Sequence, residues 1–273
     1  MPQSARVRSK LLDEIEDYYD AVPRAGADPE DLGPFTLFVS RGGWPYYARP
    51  RRGYAGPAAT VHDVRRVRAR QRDLGLPESF EWVDELAPGL VEVVERSGLA
   101  VERLPLMTLT RALEAAPVEG ARVRIVTPDD PDLARITATV SLGFASPGTQ
   151  IGPIGPRDRD AAARDDRDAA ADERRRERLR SRRTVLAVAE DASGPVAAGS
   201  HQPVSGVSEV VGVATLPSAR RRGLGALVTA ALVEDARTSG VRTVFLSAGS
   251  DDVARVYRKV GFARVATACI ADR

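Results

Sequence analysis

The chain has 273 residues, 43% hydrophobic and 29% charged, with 40 basic and 38 acidic side chains and a formal net charge of +2. That balance gives no whole-chain attraction to nucleic acid, and a single cysteine (Cys269) and two histidines exclude an intramolecular disulfide, a thiolate cluster and a histidine-rich metal site. No apolar run approaches the ~18 residues of a membrane span and residues 1–10 lack the apolar core of an export signal, so the expectation is a cytoplasmic, reduced protein of one or two domains with no membrane association. In chain order, residues 11–21 suit a short helix and 35–40 a strand. A turn at 41–43 leads to a second strand over 44–49. Residues 60–74 carry Val61, Val64, Val67 and Leu74 at helical spacing, with Thr60 as N-cap and Gly75 as the stop. A strand at 79–83, a helix at 86–97 closed by Gly98 and an extended segment at 99–109 complete this stretch.

Residues 110–120, with Pro117, mark a boundary between lobes 1–115 and 121–273. Beyond it come a strand at 122–126, a helix at 131–142 and a Gly/Pro loop at 147–156. Residues 157–183 form a charged stretch of good helix formers. Strands at 184–189 and 196–201 flank a turn at 191–194, and a third runs over 209–216. An amphipathic helix at 224–238, a strand at 241–246, a helix at 251–260 and a strand at 262–270 follow. Residues 35–109 and 196–270 share the order β-β-α-β-α-β, which suggests an internal duplication. The fold class expected is α/β with a mixed sheet.

The segment that carries the most chemistry runs from Glu209 to Ala226. A strand enters the turn Arg220-Arg221-Arg222, and Gly223-Leu224-Gly225-Ala226 opens a helix. Glycine lets backbone approach a ligand closely, and the first helical turn offers unpaired N–H groups and the positive end of the dipole. The three guanidinium groups add charge, so the loop is an anion site suited to a pyrophosphate. Arginine number alone carries little weight, because Lys10 and Lys259 are the only lysines.

This order of motifs resembles the GNAT acyltransferase superfamily, whose signature Arg/Gln-x-x-Gly-x-Gly/Ala is met by Arg220, Gly223 and Gly225. A second motif, usually Asn-x-x-Ala-x-x-x-Tyr-x-x-x-Gly-Phe, reads Ser250, Val253, Tyr257, Gly261 and Phe262 at the same spacing. The resemblance covers roughly residue 122 to the C-terminus. It implies a GNAT fold there, acetyl-CoA as the acyl donor (coenzyme A as product), and direct attack by an amine in a ternary complex. It further implies that backbone groups of Ala214, Thr215 and Leu216 run along the pantetheine, and that the loop at Gly148–Pro153 borders the acceptor. Tyr257 stands at the position of the general acid, where a phenol near ~10 is close to a thiol in acidity. Glu209 has the offset of the glutamate base of the histone-acetyltransferase branch. Ser250 and Val253 depart from the usual Asn and Ala among the coenzyme contacts.

Two further readings come from the residues themselves. A five-residue hairpin loop at 203–207 would pair His201 with Glu209 and make a proton relay. The arginines at 174–183 are interspersed with acids three or four apart, the pattern of a solvated helix. The N-terminal lobe holds most of the aromatic residues but no Arg-x-x-Gly-x-Gly, so it reads as a degenerate GNAT-like half. The two-lobed plan is similar to mycothiol synthase, where one lobe is active. The expected partner is a small-molecule amine, with the chain a monomer or homodimer. An aminoacyl-tRNA-dependent transferase, in which the arginine-rich helix meets RNA, and a non-catalytic acyl-CoA-binding protein are the other readings.

Overall fold

The computed structural model describes residues 3–42, 46–111, 116–165 and 168–273. The chain divides into two compact units that are not contiguous in sequence. One comprises Met1–Met107, Ser247–Asp251 and Arg264–Arg273; the other comprises Thr108–Leu246 and Asp252–Ala263.

The first unit begins with helix α1 (Gln3–Arg24), followed by strands β1 (Ala27–Leu32), β2 (Phe35–Ser40) and β3 (Ala48–Pro50). Helix α2 (Val61–Asp73), β4 (Phe80–Val83), α3 (Leu90–Arg96) and most of β5 (Glu102–Leu109) complete its N-terminal part. Thr60 caps α2, as its sequence anticipates, and Asp63 completes a reciprocal capping box with it. The last strand of the chain, β11 (Phe262–Ala271), also belongs here from Arg264 onward, and the strand order is β1-β2-β3-β4-β11-β5. A core of Phe35, Leu37, Val64, Val67, Phe80, Trp82, Leu90, Val94 and Cys269 lies between sheet and α2–α3. On the opposite face Arg49 is buried, bonded to both carboxylate oxygens of Glu16 at 3.2 Å and 4.3 Å above the ring of Tyr19.

The second unit contains β6 (Arg122–Ile125), helices α4 (Leu133–Phe144), α5 (Pro156–Asp165) and α6 (Ala169–Arg180), and strands β7 (Val185–Asp191), β8 (Gly194–Val204) and β9 (Val207–Thr215). Helix α7 (Leu224–Thr238), β10 (Thr243–Ser247) and α8 (Asp251–Lys259) follow, with the ends of β10 and α8 passing into the first unit. Its strands lie in the order β10-β9-β8-β7-β6, antiparallel except for the parallel pair β9–β10. The fold is mixed α/β.

The duplicated order is present in both halves. β2-β3-α2-β4-α3-β5 and β8-β9-α7-β10-α8-β11 each contain an antiparallel pair followed by a parallel one. The single cut anticipated between residues 115 and 121 does not describe the compact units. β11 ladders on β4 through Ala268↔Val83, Cys269↔Trp82, Ile270↔Glu81 and Ala271↔Phe80, and Cys269 and Ala271 enter the core of the first unit. The segment at 44–49 was expected as a strand. Residues 43–45 lie outside the described residues, and the strand is confined to Ala48–Pro50. β1 was not anticipated, because Ala-Asp-Pro-Glu-Asp-Leu has no strand pattern of its own; its extended form comes from a full antiparallel ladder with β2. Among the described residues no helix is long and apolar enough to cross a membrane, and no acidic, His or Cys cluster is placed to hold a metal.

Candidate active site

β9 and the loop that follows it organise the site, and the departures of β9 from regular structure matter most. β8 and β9 pair as Ala198↔Ala214 and Ser200↔Val211, so Gly199 alone stands opposite Gly212 and Val213. This is a β-bulge, with Gly212 at φ +66°. A Cβ on Gly199 would meet Val213 Cγ2 at 2.8 Å and Val228 of α7 at 3.2 Å, so the bulge depends on a bare backbone opposite it. On the other side, the parallel register with β10 covers Val207, Ser208 and Glu209 only. From Val210 to Thr215, β9 has no ladder to β10 among the described residues. An extended edge of that kind offers main-chain groups to a peptide-like ligand.

α4 packs on the same strand. A Cβ on Gly143 would lie 2.7 Å from Ala214 Cβ and 3.3 Å from Thr215 O, so helix and strand meet at a glycine contact. The three residues expected along a pantetheine chain are therefore not equivalent. Ala214 is buried against α4. Leu216, also buried, donates its N–H to Val196 O at 2.9 Å and is already committed. Thr215 is half-buried.

β9 leads through a short 3-10 turn (Pro217–Ala219) into the basic loop and α7. Gly223 is the N-cap in the left-handed region at φ +89°, and Arg221 shares that region at φ +68°. Leu227 N–H to Gly223 O is the first bond of the helix. The N–H groups of Leu224, Gly225 and Ala226 precede it and have no intrahelical partner, as in any first turn. A turn with left-handed residues at Arg221 and Gly223, leading into a helix start, suits an anion.

The three arginines of the loop have separate tasks. The Arg220 guanidinium donates to the carbonyls of Gly143, Ser146 and Gln150, which ties the loop to the end of α4. Its expected role as a free phosphate ligand is corrected by this geometry. Arg222 Nη1 lies 2.7 Å from Asp191 Oδ2. Arg221 is exposed and makes neither a hydrogen bond nor an ion pair among the described residues. The loop at Gly148–Pro153 docks on the same turn, through Gly152 N–H to Pro217 O at 3.1 Å, with Ile151 65% exposed.

The His201–Glu209 couple does not form. β8 and β9 turn through Ser205 and Gly206, both at positive φ (52° and 81°), so the hairpin loop has two residues and the register is His201↔Val210 and Gln202↔Glu209. One residue of slip exchanges the faces of the sheet. His201, fully buried, instead accepts at Nδ1 from the Ser208 hydroxyl at 2.8 Å and donates from Nε2 to Asp235 of α7 at 3.0 Å. Arg182 completes the chain with a 2.7 Å pair to Asp235. His201 thus sits on the α7 side. Glu209, half-buried, points to the other face, beside Phe245 in the parallel register.

Tyr257 lies on α8, its ring edge-on to Phe262 at 5.8 Å. Burial pushes its hydroxyl up to about 12, further from a thiol near ~8.5 than an ordinary phenol. Val253 is on the same helix in the second unit, whereas Ser250 falls in the first. The arginines of α6 are engaged: Arg175 with Asp172, Arg180 with Glu173, and Arg176 with the carbonyl of Pro128. A groove of 840 Å³ in the first unit, lined by Val7, Leu11, Glu85, Arg264 and neighbours, contains none of the expected site residues. Sequence reasoning missed Gly143, Gly199, Gly212, Asp191 and Asp235. The Ser205-Gly206 dipeptide was a readable turn signal; the glycine contacts and ion pairs depend on tertiary packing.

Residues 156–262 match the family model described as the acetyltransferase (GNAT) family. No curated protein sequence is matched. Among solved structures, a GCN5-related N-acetyltransferase from Kribbella flavida aligns over 100% of this chain and 96% of its own, at 21% identity and TM-score 0.62. A GCN5-related N-acetyltransferase from Sphaerobacter thermophilus aligns over 89% and 82%, at 16% identity and TM-score 0.55. A tandem GNAT protein from the clavulanic acid biosynthesis pathway aligns over 88% and 78%, at 15% identity and TM-score 0.54. At these identities the likeness is one of fold, and it extends through both halves of the chain.

Proposed function

We propose, on the premise that residues 156–262 form an acetyltransferase domain of the GNAT family, that the protein transfers an acetyl group from acetyl-CoA to the amine of a small molecule. The observation that carries this reading is the continuity of β9 and α7. An unladdered strand edge leads within ten residues into a row of free helix N–H groups beside the uncommitted Arg221. An amide-containing arm that ends in a pyrophosphate matches that sequence of donors. The pyrophosphate would sit on the N–H groups of residues 222–226, with Gly223 and Gly225 leaving the approach open. The pantetheine amides would follow the β9 edge near Thr215.

In this reading the main chain at the Gly212–Val213 bulge polarises the thioester carbonyl; each such donor is typically worth about 3 kcal/mol in acyl transfer. The amine attacks this carbon directly, and the thiolate of coenzyme A leaves. Glu209 is the residue proposed to take the ammonium proton before attack, and Tyr257 to protonate the thiolate. The burial that raises Tyr257 opposes a buried thiolate as well, so the two acidities move together. His201 is assigned no proton-transfer role here. Ile151 and Phe144, both exposed beside the α4–α5 connection, suit an acceptor with an apolar portion. A binding protein without turnover is the second reading: with its hydroxyl raised to about 12, Tyr257 serves as the acid only where the thiolate is raised with it.

Calorimetric titration with acetyl-CoA, paired with a free-thiol assay over a panel of amines, tests the proposal. Gly225→Asp is the informative variant. A carboxylate in the first helical turn favours the helix by roughly 0.3–1 kcal/mol, yet it repels a phosphate at the same place. Folding should be kept and acetyl-CoA binding lost; retained binding rules out this seat. Tyr257→Phe and Glu209→Gln should lower turnover at least tenfold with little change in acetyl-CoA affinity. Binding with no thiol release from any amine would favour the second reading.

A further inference from the structure

The charge of the basic loop is smaller than its sequence suggests. Arg220 is spent on the carbonyls of Gly143, Ser146 and Gln150. Arg222 is held by Asp191, and only Arg221 stands uncommitted among the described residues. Asp191 is the last residue of β7 and is itself anchored. Its Oδ1 accepts from Ser193 N–H at 2.9 Å and from the Ser193 hydroxyl at 2.6 Å, and its Oδ2 meets Arg222 Nη1 at 2.7 Å. The carboxylate is 17% exposed and Arg222 37%. So the anion is fixed in the hairpin turn, whereas the cation is on a long, half-exposed arm.

These two ends of the pair respond differently to an arriving phosphate. Asp191 cannot follow Arg222, because two hydrogen bonds from Ser193 hold it. Arg222 precedes the N-cap Gly223, so its guanidinium can turn from the carboxylate to a phosphate on the same loop. While it remains on Asp191 its charge is neutralised, and Asp191 adds a repulsive charge of its own. The pair is a competitor for any anion at the helix start.

We propose that Asp191 is an exchange-setting counter-ion for the coenzyme: it holds Arg222 in the free protein, releases it to a phosphate of acyl-CoA, and reclaims it as coenzyme A departs. This rests on the reading that the loop at residues 220–226 seats acyl-CoA. Its consequence is deliberately moderate affinity. A loop with Arg222 permanently free would bind product more tightly and release it more slowly, and product release limits turnover in many enzymes.

The test is a double-mutant cycle in the full-length protein. Asp191→Asn removes the charge but keeps an oxygen to accept from Ser193, so the turn is preserved. Coenzyme A should bind about three- to tenfold more tightly to this variant, as expected for freeing one partly exposed guanidinium, with a slower dissociation rate in stopped-flow. The gain should steepen the salt dependence and vanish in Asp191→Asn/Arg222→Gln. S-acetyl-pantetheine, which lacks the phosphates, should bind both proteins equally. Wild-type binding of coenzyme A with unchanged or weaker binding by Asp191→Asn overturns the counter-ion role and makes Asp191 a structural anchor. A gain that survives Arg222→Gln, or that extends to S-acetyl-pantetheine, overturns it too. No coenzyme A binding by the wild type defeats the proposed function, and the exchange role with it.

Discussion

His201 bonds at both ring nitrogens, to Ser208 and Asp235, and has no exposed surface. Burial holds its pKa below the ordinary 6.5, against the opposing pull of Asp235. A depressed pKa in the folded state means that the unfolded chain binds the proton first. The contribution of a neutral His201 is therefore complete above pH ~6.5 and is lost as pH falls below it, by up to ~1.4 kcal/mol per pH unit. Glu81, raised to about 7 by burial, acts with the opposite sign over part of the same window. The comparison that isolates the histidine is wild type against His201→Gln in urea unfolding from pH 7.5 to 5. The stability difference should shrink towards acid; a difference independent of pH would contradict a neutral buried imidazole. At this scale Gly223, Gly225 and Tyr257 of the candidate site can be picked out by type and spacing. The separate tasks of Arg220, Arg221 and Arg222 cannot, since three identical side chains differ only in which carbonyl or carboxylate lies within reach.

β9 is the element on which the site depends, and its neighbours tolerate little added bulk. Gly143→Ala tests this. Alanine is the better helix former by about 1 kcal/mol, but its methyl would fall 2.7 Å from Ala214 Cβ, so helix or strand must shift to admit it. Overpacking of that kind typically costs 1–3 kcal/mol, so the net effect should be a lower melting temperature with weaker acetyl-CoA binding. A gain in stability would mean that α4 and β9 separate easily. Element reading from sequence succeeded where pattern and caps agree, as for β2 at Phe35–Ser40 and α7 at Leu224–Thr238, whose bounds match expectation. It failed where a strand is extended by its partner, as in β1, and at the β8–β9 turn, where a five-residue loop and a two-residue turn differ by one residue of register. That residue separates His201 from Glu209. The bulge at Gly212 has no local signal either; its extra residue is defined only against β8.

For the whole molecule, β11 is the decisive element. Arg264–Ala271 completes a sheet whose other strands all precede Thr110, with Cys269 and Ala271 packed in its core. Removing residues 264–273 should therefore unfold the N-terminal unit first. We expect a loss of about 2 kcal/mol or more, roughly 8 °C or more for a unit of this size, and loss of amide protection in Phe80–Val83. Hydrogen exchange that leaves Phe80–Val83 protected would show that β11 is dispensable. The repeat of β-β-α-β-α-β could be read from the sequence, but the membership of its last strand could not, because β11 has the same pattern whichever sheet it joins.

That membership also sets an order of events at the ribosome. Synthesis of Met107 leaves the N-terminal sheet lacking a strand that is encoded roughly 150 residues later, a wait on the order of ten seconds at typical elongation rates. Throughout that interval the nascent β4 offers an open edge, the kind that templates pairing with another chain. The half of the protein made first is thus finished last, and its yield in a cell should depend on holdase chaperones that bind growing chains.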